Sequence, residues 1–364
     1  MNDLEYMTMA YRLARKTKGQ TSPNPMVGAV IVKNDRVVAA GYHQRCGSDH
    51  AEVIALKKAG KNAKGARLYV TLEPCSHFGR TPPCVDAIIQ SGIKEVIVGM
   101  MDPNPINHGK SMKLLGRRGI KVRAGFLENE LKILNEVFIK FIKYKMPFVV
   151  VKWAQTLDGK IASAGGQSKW ITAARARDFS RRLRAQFDAI LVGIETVLKD
   201  NPGLNAGKKS KLLKKVIVDS SLRIPLTAKL FQGVPAEDMI IATTSKASSA
   251  KLRILRKKNF RVIVCPQAHG RVDLKYLLKE LARLEITSIF VEGGSQILGS
   301  LFKARLVDKV LCFIAPKIMG DEQALSAVRG FSIGKVDESV RLYNISMERI
   351  GDDYLMKAYV YRNH

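Results

Sequence analysis

Apolar positions in the first third of the chain change period repeatedly. Tyr6, Met9, Ala10, Leu13 and Ala14 recur at three- and four-residue steps, which predicts an amphipathic helix over residues 4–18. Apolar runs predict paired strands at 27–32 and 37–42, turning at Asn34-Asp35. Helices at 51–59, 85–91 and near 110–118 then alternate with strands at 67–72, 95–99 and 121–124. Alternation of this kind builds a three-layer α/β domain around a central sheet.

A second α/β pattern starts at Pro147. Phe148-Val149-Val150-Val151-Lys152 reads as a buried strand, and further strands are predicted at 189–192, 215–219, 239–243, 261–265, 288–292 and 310–314. Helices fit between most of them. The last two strands, 343–350 and 354–361, read as a hairpin across Gly351-Asp352-Asp353. The start of this second pattern sets the boundary near 144–147, giving domains 1–145 and 146–364, and no repeat or low-complexity linker separates the halves.

Composition changes this picture little. The 364 residues are 46% hydrophobic and 26% charged, an ordinary globular balance that leaves room for two cores. No apolar run reaches the roughly 18 residues that a membrane span needs. The first residues lack a basic region followed by an apolar stretch, so the expectation is a cytoplasmic protein without a secretory signal. Cys46, Cys75, Cys84, Cys265 and Cys312 are an odd, sparse set, which argues against a disulfide framework. The net charge of +29 could signal a nucleic-acid partner. However, residues 1–145 carry 24 Lys and Arg against 12 Asp and Glu, and residues 146–364 carry 37 against 20. That even spread argues for a basic solvated surface and against nucleic acid. The one dense cluster, Lys208-Lys209-Ser210-Lys211 with Lys214-Lys215, reads as an exposed loop. The sequence leaves a homo-oligomer open.

The segment from His50 to Cys84 carries candidate chemistry. His50, Cys75 and Cys84 are soft and borderline donors suited to zinc, and Glu52 is a carboxylate two residues from a ligand. Three protein ligands leave a fourth position open for water, which zinc makes acidic, and a carboxylate outside the ligand set can move protons. Thr81-Pro82-Pro83 should start a helix at Cys84, whose N-terminal end favours a thiolate. Residues two apart do not share a helical face, so His50 and Glu52 can act together only in a first turn. The order H-x-E…P-C is that of zinc-dependent nucleobase deaminases. A closed structural zinc site is the alternative; Cys46 or His77 would then supply a fourth ligand.

At these residues the chain resembles the RibD/RibG family of bifunctional riboflavin-biosynthesis enzymes. The likeness rests on Pro23-Asn24-Pro25-Met26-Val27-Gly28, Gly41-Tyr42-His43, His50-Ala51-Glu52, the whole stretch 71–84 and Asp102-Pro103-Asn104-Pro105. In the second half it rests on Leu157-Asp158-Gly159-Lys160, Ser168-Lys169-Trp170-Ile171-Thr172, Leu183-Arg184-Ala185-Gln186, Thr196-Val197-Leu198 with Asp200, and Val291-Glu292-Gly293-Gly294-Ser295. The eight residues between Cys75 and Cys84 are part of that likeness.

The resemblance implies a cytidine-deaminase-like N-terminal domain and a dihydrofolate-reductase-like C-terminal domain. It implies Zn2+ on His50, Cys75 and Cys84, with Glu52 as proton shuttle. The small-molecule substrate would be a diaminopyrimidinone carrying a ribosylamino phosphate, in contact with Asn24, His43, His77 and Arg80. A reductase would then use NADPH to open the ribose into a ribityl chain. NADPH contacts carry over to Ala154, Trp170, Thr196, Asp200, Ser220 and the run Gly294, Ser295, Gln296, Ile297, Leu298, Gly299 and Ser300. Substrate contacts carry over to Ser168, Arg184, Leu204 and Glu292. Lys152 and Asp200 are the charged candidates for a role in reduction.

Two departures from the family pattern matter. Gly207 stands where the family has a substrate-binding Arg, and Ser111 where it often has Gly. An impaired reductase is therefore one alternative, with Lys208 or Lys209 as candidates to bind the substrate in place of that Arg. A polynucleotide deaminase gripping phosphates through the basic surface is another.

Overall fold

The structure is a computed structural model, and it describes residues 1–79, 81–207 and 213–361. The backbone divides into two compact units, the first covering Met1–Lys145 and the second beginning at Met146.

The first unit holds strands β1 (Gly28–Lys33), β2 (Arg36–Tyr42), β3 (Arg67–Leu72), β4 (Glu95–Met100) and β5 (Lys121–Ala124). Its helices are α1 (Asp3–Arg15), α2 (Ala51–Ala59), α3 (Cys84–Gln90), α4 (Lys110–Arg117), α5 (Glu128–Leu134) and α6 (Glu136–Tyr144). The strands form one sheet in the order β2-β1-β3-β4-β5. β1 runs antiparallel to β2 and β3, while β3, β4 and β5 are mutually parallel. Alternate residues of each strand serve opposite faces. Val30, Val32, Tyr69 and Ile97 pack with Tyr6, Met7 and Ala10 of α1. Ala29, Ile31, Leu68, Val70, Val96 and Val98 pack with Ala55, Leu56, Val85 and Ile88 on the other side. Both faces are covered, which makes three layers.

One close approach seats α2. A Cβ on Gly41 of β2 would fall 2.6 Å from the Ala51 carbonyl oxygen and 2.8 Å from the Ala55 nitrogen. The helix therefore rests on bare backbone, a position only glycine allows.

The second unit has a nine-stranded sheet. Its strands are β6 (Phe148–Thr156), β8 (Ala189–Gly193), β9 (Lys214–Val218), β10 (Met239–Thr243), β11 (Arg261–Val264), β14 (Ser288–Glu292), β15 (Lys309–Ala315), β17 (Tyr343–Ile350) and β18 (Asp353–Tyr359). Short pieces β7 (Lys160–Ala162) and β16 (Leu325–Ser326) pair with each other, as do β12 (Gln267–Ala268) and β13 (Arg271–Val272). Helices α7 (Ala174–Arg184), α8 (Ile194–Asp200), α9 (Ser249–Lys257), α10 (Leu274–Arg283) and α11 (Ser295–Lys303) connect them. The order is β11-β10-β9-β8-β14-β6-β15-β18-β17, parallel from β11 to β15 and antiparallel at β18 and β17. Apolar layers again lie on both faces.

Four expectations change. The first helix ends at Arg15, before residue 18, and residues 16–20 run on as turns, with Gly19 at φ +82°. Helices α5 and α6 are additions to the predicted elements, since their apolar positions are broken by Asn135, whose buried amide bonds to the Met26 backbone. β6 continues to Thr156, past the expected end at Lys152. Lys214 leaves the expected loop and opens β9 one residue ahead of the strand predicted at 215–219. Lys215 is only 2% exposed, its ammonium donating to the carbonyls of Gly203 and Leu230 and to Asn205 Oδ1.

Candidate functional site

His50 is the N-cap of α2, with extended backbone and no capping hydrogen bond, so its ring is free to face outward from the helix end. Glu52 follows in the first turn, as the spacing requires. Cys75 lies on the segment after β3. Pro83 caps α3, placing Cys84 at its first position, where the Cys84 amide donates to Cys75 Sγ at 3.2 Å. The ligand atoms of His50, Cys75 and Cys84 lie within 4.8 Å of one another. His50 Nδ1 is 3.1 Å from Cys84 Sγ and 3.5 Å from Cys75 Sγ. Two sulfurs and an imidazole nitrogen at one point fit a zinc ion. Neither Cys46 nor His77 joins this group among the described residues.

Electrostatics sharpen the arrangement. The hydrogen bond from Cys84, with His50 beside it, holds the Cys75 thiol well below its usual range, while Cys75 and burial push Cys84 up. Glu52 is 3% exposed, and burial pushes its carboxyl up to about 7 against the opposing pull of His50. A carboxyl titrating there can hold and release a proton at neutral pH.

The surroundings orient these groups. His50 Nε2 meets Thr81 Oγ1 at 3.2 Å, which fixes the ring with Nδ1 toward the sulfurs. His43 meets the Asp49 carbonyl through Nδ1 and Asn24 Nδ2 through Nε2, both at 3.1 Å. Burial keeps its pKa low, so the ring is a neutral acceptor for the Asn24 amide. His77 is nearby in sequence, with a buried Nδ1 that has no partner among the described residues. Arg80 lies outside the described residues.

Sequence reasoning missed the support beneath Cys75. Buried Glu73 accepts from the amides of Asp102 and Gly109 and from Ser111 Oγ at 2.7 Å. Fully buried Asn107 accepts from the Ser76 amide and hydroxyl and donates to the Pro74 carbonyl and Asp102. Ser111, unusual for the resemblance, thus completes the hydrogen bonding of a buried carboxylate.

In the second unit, Gly293 and Gly294 leave β14 at φ +80° and +83° and lead into α11, whose first turn has no side-chain cap. Free N–H groups at such a helix start suit a phosphate. They open on a cleft of about 590 Å³ that Thr196, Asp200, Ser220, Gly294, Ser295, Gln296, Ile297 and Ser300 line, with Ser168 among them. Ser168 Oγ is 3.4 Å from Asp200 Oδ1. These glycines and the uncapped helix fit the pyrophosphate of a dinucleotide.

Other expected residues lie elsewhere. Leu298 is 1% exposed in the core, and Gly299 packs on the Arg329 carbonyl. Leu204 is also a core side chain. Trp170 is 63% exposed, 4.2 Å from the Arg177 guanidinium, and Ala154 stands on β6 opposite Phe313. None of these five lines the cleft. Arg184 grips buried Glu292 with two bonds of 2.7 and 2.8 Å and donates to the Asn205 carbonyl. Glu292 is in register with Lys152 across β14 and β6. Burial lowers the Lys152 pKa; for Glu292, burial is outweighed by Lys152 and Arg184, which keep its carboxyl low. Lys152 and Asp200 share no ion pair among the described residues. Gly207 has φ +109° and open space at its Cβ, while Lys208 and Lys209 lie outside the described residues. Cleft residues that the sequence reading missed include Arg223 and Arg271; as scattered surface-type residues they gave no motif.

Fold and donor set together define a zinc-binding deaminase unit followed by a dinucleotide-binding α/β reductase unit. Residues 1–100 match the cytidine and deoxycytidylate deaminase zinc-binding region, and residues 147–356 match the RibD C-terminal domain. Riboflavin biosynthesis protein RibD of Aquifex aeolicus is 44% identical over 356 residues, covering 97% of each chain. A structure of Acinetobacter baumannii RibD superposes with a TM-score of 0.89 at 33% identity, covering 98% of each chain. A Thermotoga maritima diaminohydroxyphosphoribosylaminopyrimidine deaminase/5-amino-6-(5-phosphoribosylamino)uracil reductase does so with a TM-score of 0.85 at 35% identity and the same coverage. The chain belongs to the RibD family of bifunctional deaminase/reductases of riboflavin biosynthesis, with zinc and NADPH as cofactors. No helix among the described residues is long and apolar enough to cross a membrane.

Proposed function

We propose that residues 1–145 deaminate the diaminohydroxyphosphoribosylaminopyrimidine named for the Thermotoga relative, and that residues from 146 onward reduce the resulting phosphoribosylaminouracil. The carrying observation is the convergence of His50, Cys75 and Cys84 beside a buried Glu52. In this reading those three residues would hold zinc, and the chemistry it would supply is a water made nucleophilic at neutral pH. Glu52 takes the proton that this water gives up, delivers it to the ring nitrogen, and then helps protonate the departing amine. One C–N bond breaks, the water oxygen stays on the ring, and ammonia leaves. The neutral His43 orients the Asn24 amide as a donor to the pyrimidine. His77 and Arg80 complete the substrate contacts.

NADPH supplies the hydride for the second step. Gly293, Gly294 and the start of α11 would hold its pyrophosphate, with Thr196, Asp200 and Ser220 lining the same cleft. Arg184, Ser168 and Glu292 hold the sugar-phosphate substrate. Lys152, kept from a full charge preference by burial, and Asp200 are the charged groups we assign to reduction. NADPH chemistry, and cysteines that form no disulfide among the described residues, both suit a reducing cytoplasm.

The test follows ammonia and NADPH separately with the diaminopyrimidine substrate. Ammonia should form without NADPH, and NADPH should be consumed only after ammonia appears. Ammonia without any NADPH oxidation would reject the reductase half.

A further inference from the structure

The cleft of the second unit has a polarity that its topology sets. Its pyrophosphate cradle follows β14. The charged group of Lys152, Glu292 and Arg184 lies on the β6 and β14 side. In the opposite direction the sheet continues through β8 to β9. Two strand spacings, about 10 Å, separate β14 from β9. A dinucleotide with its nicotinamide toward Lys152 therefore directs its adenosine to the turn after β9, at Ser220 and Ser221.

That end of the cleft is cationic. Arg223 follows the turn, and Arg271 reaches the same wall from β13. Arg271 is placed there by a dedicated device. His269 and Gly270, at φ +51° and +75°, form a two-residue hairpin that joins β12 to β13, with Ala268 paired to Arg271. The next residue, Val272, donates its amide to Ser220 Oγ at 3.1 Å, which pins the hairpin to the β9 turn. Arg271 has no side-chain hydrogen bond or ion pair among the described residues, although its strand is so tightly held. Arg223 pairs with Glu195, the acid of the first turn of α8, through one nitrogen at 2.5 Å, and its other N–H groups are free among the described residues. Two guanidinium groups line the cleft wall here; Glu195 pairs with Arg223, and Asp219 also acts on it, while Arg271 is in no ion pair among the described residues.

We infer that Arg223 and Arg271 bind the 2′-phosphate of the adenosine ribose and so make the enzyme select NADPH over NADH. This rests on the reading of the cleft as the NADPH site. The guanidinium fork matches two phosphate oxygens, and the phosphate competes with Glu195 for Arg223. Glu195 then acts as a local counter-ion that also weakens binding of the phosphate.

The assignment is read by binding, on the full chain, with NADPH, NADH and adenosine 2′,5′-bisphosphate titrated separately by calorimetry. The variants are Arg223→Ala, Arg271→Ala, the double Ala variant and Glu195→Gln, each checked by thermal melting. Each single Arg variant is expected to weaken NADPH and the bisphosphate by about tenfold, and the double variant by more, with NADH changed less than about twofold. Glu195→Gln should tighten NADPH by a few fold without tightening NADH. Added salt should lower the NADPH-to-NADH preference in the native chain and not in the double variant. Equal weakening of NADPH and NADH, or an unchanged preference in the folded double variant, overturns the assignment and leaves the cleft reading standing. If the native chain binds neither dinucleotide, the cleft reading itself fails and this assignment with it.

Discussion

The two proposed centres are built in opposite ways. The metal centre draws its donors from two short segments, and each donor sits at a helix start or on the loop just before one, within 4.8 Å of the others. The reductase cleft collects residues from Ile161 to Arg329, contributed by many strand ends and by the starts of α8, α10 and α11. The first is held by directional contacts among a few groups. The second is held by register in a nine-stranded sheet. A single substitution should therefore abolish the first chemistry while only grading the second.

The strongest way to break that contrast is Glu52→Gln. Ammonia release should fall by about a thousandfold, within the range general acid–base catalysis supplies, while zinc stays at one per chain by elemental analysis. NADPH oxidation on pre-deaminated substrate should be unchanged; a parallel loss of both activities would end the separation. Next is Arg184→Met, which strips buried Glu292 of its bidentate partner. Breaking such a pair costs about 3–5 kcal/mol, and urea unfolding of the second unit should show it while ammonia release persists.

A smaller effect concerns pH. Burial, with Arg184 nearby, holds the Lys215 ammonium down to about 8, below the roughly 10.4 of an unfolded lysine. Between those values the unfolded chain keeps a proton that the folded chain has lost. Stability then gains with rising pH across the window, by at most about 1.4 kcal/mol per pH unit. Lys215→Met should lack this gain when unfolding is followed through alkaline pH; an identical slope would show that Lys215 does not titrate there. The smallest effect is expected of Lys208→Ala with Lys209→Ala. If these lysines bind the sugar phosphate in place of the Arg that Gly207 replaces, the reductase KM for that substrate should rise a few fold with kcat unchanged. An unchanged KM would remove them from the site.

Legibility followed the same contrast. The clustering of His50, Cys75 and Cys84 was readable because zinc ligation needs rare residue types at close sequence spacing, and His50 with Glu52 makes sense only at a helix start. The layer architecture was readable because strands buried on both faces leave continuous apolar runs such as 148–151. What stayed hidden depends on tertiary placement. Glu73, Asn107 and Ser111 are polar residues whose burial no local pattern reveals. Lys215 has the sequence neighbours of a solvated basic loop, and only the folded chain places three carbonyl-type acceptors around its ammonium. Leu298 and Gly299 belong to a run that borders the cofactor cleft, yet the helical turn carries both away from it.

The bare backbone at Gly41 has a wider meaning. Nothing about a glycine invites a chemical role, and it lies nine residues before His50, the first proposed zinc donor. Yet a single methyl there would meet the carbonyl of Ala51, the residue between His50 and Glu52. The spacing of sheet and helix thus acts as a gauge block for the proposed proton shuttle: the placement of Glu52 is set in part by an atom that is not there. Alanine at Gly41 would leave every reactive group in place and still detune the machine.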